Sequence, residues 1–196
     1  MIDGFLKFLE FGLYHIVSFS SYDHILFLVV LTAPYAFKDW TRLLLLVSFF
    51  TLGHTLSLLL GVYDIINLKV NVVEWLIPFT IIIMALYNIF TSGKASKKSN
   101  PIIIVCLVLF FGLIHGLGFA NSFEAVVGSD QSTLLSIIEF ALGIELGQFV
   151  IVFSVLFFGF LGQTIFRLSS RDWVMVLSAV VIGLMLPLIV DSPLFY

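Results

Sequence analysis

The sequence predicts an all-α fold: a polytopic transmembrane helical bundle of about seven helices, forming a single domain over 1–196. Three observations carry that expectation. Of the 196 residues, 61% are apolar and only 11% are charged, whereas a soluble domain carries roughly 25% charged residues. With a mean hydropathy of +1.18, such a chain needs lipid as the solvent for most of its surface. Apolar runs of helical length recur from end to end, and the basic residues gather between alternate runs. The same composition excludes a disordered chain, a nucleic-acid binder and a disulfide-stapled module. The one cysteine, Cys106, has no partner within the chain.

The runs follow in order. Met1-Ile2-Asp3-Gly4 lacks a basic start and no small-x-small site follows the first run, so no cleaved leader is expected. The first two runs, about 4–19 and 22–37, are near 16 residues each, short of the ~20 a spanning helix needs. Ser18, Ser20 and Ser21 supply the break between them. Runs at about 41–63, 71–91 and 101–121 have full spanning length. The sixth, 133–160, is longer and must tilt or emerge at one end. The seventh is 173–190. Trp40, Trp75 and Trp173 stand at run ends, the interfacial position that tryptophan favours.

Lysine and arginine set the orientation. With seven crossings, one side receives Lys7, Lys38, Arg42, Lys94, Lys97, Lys98, Arg167 and Arg171, and the other Lys69 alone. That eight-to-one split predicts a cytoplasmic N-terminus and a periplasmic C-terminus. If the first two runs do not both cross, Lys7 changes sides and the split becomes seven to two.

All four histidines, His15, His24, His54 and His115, lie within or at the ends of apolar runs, and none is in a hydrophilic loop. Acids join them: Asp23 beside His24, and Glu74, Glu139 and Glu145 in or near spans. An ionisable group at bilayer depth costs about 2.5–3.5 kcal/mol on insertion scales and marks a functional position by default. Seven crossings place His54 roughly 12 Å and His115 roughly 9 Å below the outer end of their segments, with His15, Asp23 and His24 flanking an outer turn. Thr51, His54, Ser57 and Gly61 form a polar stripe at helical spacing, and Gly112, Gly116 and Gly118 thin the helix around His115. Glu139 and Glu145, six apart, point about 120° away from each other. A single membrane histidine is most often a hydrogen-bonded packing residue; four grouped with acids suggest a metal site, since imidazole suits zinc, copper, iron and nickel. Glu74 can equally complement a helix dipole.

The residues Gly12-Leu13-Tyr14-His15-Ile16, Tyr22-Asp23-His24-Ile25-Leu26-Phe27, Phe50-Thr51-Leu52-Gly53-His54-Thr55-Leu56-Ser57-Leu58 and Val73-Glu74-Trp75-Leu76-Ile77-Pro78 resemble those of the HupE/UreJ family. So do Phe111-Gly112-Leu113-Ile114-His115-Gly116-Leu117-Gly118-Phe119 and Gly143-Ile144-Glu145-Leu146-Gly147-Gln148, and the likeness covers about 8–160. It is nearest to the Bacteroidetes-type branch. This chain departs from the pattern at Ser21, at Ala141 and in keeping a single histidine in the fifth run. The resemblance implies a bacterial inner-membrane protein that transports nickel or cobalt, an accessory to hydrogenase or urease. It implies His15, Asp23, His24, His54, His115 and Glu145 as the metal set; Glu74 and Glu139 are secondary candidates from their position in or near spans.

The expectation is therefore a permease for a divalent transition-metal ion (nickel, cobalt, zinc or copper), with its site in the outer half of the bundle. Its partners would be the lipid bilayer, the ion, and a second copy of the chain or an accessory subunit; no nucleic acid is implied. No ATP-binding motif is present, so a gradient or a partner would drive transport. Three competing readings use the same residues. One is an intramembrane zinc hydrolase with Asp23 or a glutamate as base. Another is a b-type haem protein with His54 and His115 as axial ligands. The last is a structural accessory subunit that binds no ion.

Overall fold

The computed structural model describes residues 2–66, 68–92, 101–127 and 133–192. Among these the regular structure is all helical: α1 (Ile2–Val17), α2 (Tyr22–Thr32), α3 (Trp40–Val62), α4 (Val70–Thr91), α5 (Pro101–Val127), α6 (Thr133–Ile165) and α7 (Ser170–Val190). The expected all-α bundle and its helix count stand. The ends follow local chemistry. Serines favour helix ends because their hydroxyls compete for backbone groups, and α1 gives way at Ser18 to a single 3₁₀ turn over Phe19–Ser21. α2 ends at Thr32, two residues before Pro34, which has no N–H with which to continue the helix; Ala33 itself keeps helical geometry. The Ser169 hydroxyl caps α7 by accepting the Asp172 N–H at 3.0 Å.

Five of these helices, α3 to α7, are singly long and apolar enough to span a bilayer, and α1 with α2 makes a sixth only as a bent pair. The two short helices meet at 68°. Their contacts show that they run in the same sense. Phe8 lies against Phe123 (6.1 Å between ring centroids) and Phe11 against Phe119 (5.7 Å), so α1 runs antiparallel to α5. His24 lies against His115 (5.1 Å) and Phe27 against Phe111 (6.0 Å), so α2 does too. The first two runs are thus halves of one broken crossing. Taken as one span, the pair brings the candidate crossings to six, and lysine and arginine would then divide seven to two, with Lys7 on the side of Lys69.

Two seams hold the centre together, and glycine makes both. In α3 against α5, Gly53 faces the carbonyl oxygen of Leu109, Gly112 that of Phe50, and Gly116 that of His54. In α1 against α6, Gly12 faces the carbonyl of Phe140 and Gly143 that of Leu9. A β-carbon at any of these positions would overlap the facing oxygen, so the backbones approach as closely as membrane helices can. Both seams join parallel helices. Phe8, Phe27, Phe50, Phe111, Phe123 and Phe140 fill the space between them with almost no exposure. Large apolar residues such as Phe157, Val176 and Leu184 face outward, as lipid requires. α4 pairs with α7 at the periphery, and Asn88 reaches from α4 to the Val30 carbonyl of α2 at 2.6 Å.

Candidate metal centre

The break between α1 and α2 delivers two histidines to one place. His15 is in the last turn of α1 and His24 in the first turn of α2, with ring centroids 4.8 Å apart. α3 adds His54, at 5.9 Å from His15 and 5.8 Å from His24. One nitrogen from each of these three rings lies within 4.8 Å of the other two. Ligand nitrogens held about 2.0–2.1 Å from one ion stand roughly 3–3.4 Å apart, so modest ring rotations would close the set. α5 adds His115 on the far flank of His24. Phe119, 4.0 Å from the His15 ring, and Phe140 wall the group on one side, and Phe27 and Phe50 on the other.

Hydrogen bonds orient two of the rings. The Nδ1–H of His24 points at Asp23 Oδ1 (3.1 Å), which also accepts the backbone N–H of His24 (2.9 Å). His115 Nδ1–H donates to the Phe111 carbonyl at 2.8 Å. Each bond fixes the tautomer and leaves the Nε2 lone pair as the free acceptor, the arrangement that carboxylates and carbonyls give to metal-ligating histidines. Nε2 of His15, His24 and His115 and both ring nitrogens of His54 are buried with no hydrogen-bond partner. His54 has no exposed surface at all. Buried polar atoms are almost always paired. Five unpaired nitrogens gathered in one place could serve as ligands to a cation.

The remaining candidates are placed differently. Asp23 is about a quarter exposed and is spent on His24, so it acts through that ring. Glu145 lies outside the histidine group: its Oε1 accepts from the Ser48 hydroxyl on α3 at 2.5 Å. Beside it Thr51 Oγ1 donates to Gln148 Oε1 at 2.8 Å. Ser48 and Thr51 precede His54 by six and three residues, so this α3–α6 layer lies roughly 5–9 Å toward the start of α3. Glu139 is buried on α6 and Glu74 is exposed on α4; neither joins the histidines.

The centre also sits deeper than an outer turn would put it. His115 is 14 residues into α5, roughly 21 Å from its cytoplasmic end. His15, Asp23 and His24 lie on either side of the break between α1 and α2. Sequence reasoning missed Ser48, although it extends the Thr51, His54, Ser57 stripe by one helical step in the other direction. It also missed Phe119 and Phe140 as walls, for which a chain of 22 phenylalanines offers no signal.

The family described as HupE / UreJ protein matches residues 1–190. No curated protein and no solved structure matches the chain. With nearly its whole length matched, this membrane-spanning chain belongs to the HupE/UreJ family.

Proposed function

We propose that the protein is an inner-membrane permease for a divalent transition-metal ion, nickel or cobalt in keeping with its family, which binds the ion at His15, His24 and His54. His115 supplies a fourth imidazole, and Asp23 orients His24 and offsets part of the ion's charge. The observation that carries this reading is the set of buried, unpaired imidazole nitrogens converging from α1, α2, α3 and α5. In a low-dielectric interior an ion would exchange its waters for these nitrogens. Release would require the set to come apart. His15 is fastened to α6 through the Gly12 and Gly143 contacts, whereas His54 and His115 belong to the α3–α5 seam. The Ser18–Ser21 break is the joint across which the two groups can separate, as in transporters whose sites lie at interrupted helices.

The competing readings find less support. A haem between His54 and His115 would need a macrocycle where α3 and α5 touch backbone to backbone. A hydrolase needs a substrate cavity that opens on the metal, and neither of the two cavities described is lined by a histidine. The test is elemental analysis of protein purified without a histidine tag after incubation with nickel or cobalt. The expected result is about one ion per chain, lost in His54→Ala. Protein that takes up no ion, or whose ion content is indifferent to His54→Ala, overturns the proposal.

A further inference from the structure

Near the C-terminal end of α6 a groove of about 160 Å³ runs between α2, α6 and α7. Tyr35, Leu156, Gln163, Thr164 and Trp173 stand in its wall. From Leu156 to Thr164 it follows α6 for roughly 12 Å and stops one residue before the helix ends at Ile165. It therefore opens at the bilayer interface and descends along α6, the direction in which lipid chains run. Gly159 and Gly162 let the Trp173 indole lie close against α6: an added β-carbon would stand 3.3 Å and 3.5 Å from its ring. The outer side of the mouth is apolar. Phe37 and Phe160 line it and are 50% and 56% exposed. Phe153, 6.4 Å from Phe37, extends the same surface. Polar groups gather at the interfacial end, where the Gln163 amide, the Thr164 hydroxyl and the Trp173 indole belong to the lining.

Both loops beside the mouth are basic. Lys38 follows Phe37, and Arg42 stands 5.6 Å from the Tyr35 ring. Arg167 and Arg171 flank the link between α6 and α7. All four cations are exposed, and among the described residues none of them pairs with a carboxylate. Two acids share these loops, but each is engaged by its own turn. Asp39 accepts the Ala36 N–H at 3.1 Å, and Asp172 accepts the Ser169 hydroxyl at 2.6 Å. Loops rich in lysine and arginine face the cytoplasm, where the leaflet surface is anionic and basic pockets between helices take up lipid headgroups.

We propose that this groove binds one anionic phospholipid, with part of an acyl chain against Leu156 and Trp173 and the phosphate beside Arg42. The apolar depth and open phenylalanine rim suit the chain, which leaves the groove directly into the bilayer. The hydroxyl, amide and indole groups at the interfacial end suit the glycerol esters. Four cations against two acids favour a headgroup of net negative charge over a zwitterionic one. The site is separate from the histidine centre and stands whether or not that centre moves an ion.

The experiment is native mass spectrometry of the full-length chain released from nanodiscs of equal phosphatidylglycerol and phosphatidylcholine. One retained lipid per chain is expected, with phosphatidylglycerol preferred by more than about fivefold, the worth of a single cation near a membrane surface. Arg42→Ala should lower that preference by about fivefold. Ala36→Trp puts a bulky side chain at an exposed position in the mouth and leaves every charge in place, so it should abolish retention. Lys69→Ala, a cation at the start of α4 and outside these loops, should change nothing. A chain that retains no lipid, or retains the two lipids equally, overturns the proposal. So does an Arg42→Ala variant with unchanged preference. Retention that survives Ala36→Trp puts the lipid elsewhere on the basic surface and overturns the groove as its site.

Discussion

The histidine centre and the α3–α6 layer below it are neighbours on α3, yet they treat buried polarity in opposite ways. In the layer, Ser48 bonds Glu145 and Thr51 bonds Gln148, so two helices satisfy each other across their contact. In the centre, His54 is more deeply buried than Ser48 and neither of its ring nitrogens has a hydrogen-bond partner. Burial alone therefore does not distinguish a site from a structural contact. The unpaired lone pair does. A hydrogen-bonded pair contributes to stability, while an unpaired buried group costs about 1–3 kcal/mol until something binds it.

That contrast can be broken or sharpened by substitution. The largest effect is expected for Gly116→Ala, whose β-carbon would overlap the His54 carbonyl and the Ser57 hydroxyl. Forcing α3 off α5 should cost about 1–3 kcal/mol and displace His54, so both the unfolding midpoint in detergent and the bound metal should fall. His54→Ala should separate the two readouts. Metal affinity should drop more than about a hundredfold, beyond the 10–100-fold typical of a ligand's supporting partner, while the unfolding midpoint stays within experimental scatter or rises. A clear loss of stability in that variant would mean that His54 is a packing residue.

Asp23→Asn removes only the carboxylate that orients His24. It should weaken metal binding by about 10–100-fold at unchanged stoichiometry, measured by competition with a chelating dye. The smallest effect on the metal belongs to Ser48→Ala. It should lower stability by about 1–3 kcal/mol, the cost of leaving a buried acceptor without its donor, and leave affinity within about threefold. If Ser48→Ala abolished binding, the layer would belong to the site and the distinction between the two regions would fail.

Much of the fold and part of the site were legible in the residues, and the reasons differ. The helices are local events: apolar runs, serines at the α1–α2 break and Pro34 after α2 announce their ends directly. The four histidines were conspicuous because lipid penalises them. The pairing of Glu145 with Ser48 was not legible, since these residues are 97 positions apart and a polar residue on one helix does not name its partner on another. Asp23 stood out by type; only the position of the His24 ring shows that its Oδ1 orients that imidazole. The direction of α1 was ambiguous because two 16-residue runs fit either two thin crossings or one broken one.

By itself the sequence determined the solvent and the helices, because hydropathy and helical spacing act within a few residues and need no distant partner. Only the tertiary structure decided that α1 and α2 form a single bent crossing, that three imidazoles converge at the bend, and that Glu145 stands apart from them. Those outcomes depend on which backbones come into contact. Glycine-to-carbonyl approach between segments tens of residues apart sets that, and no local pattern encodes the choice.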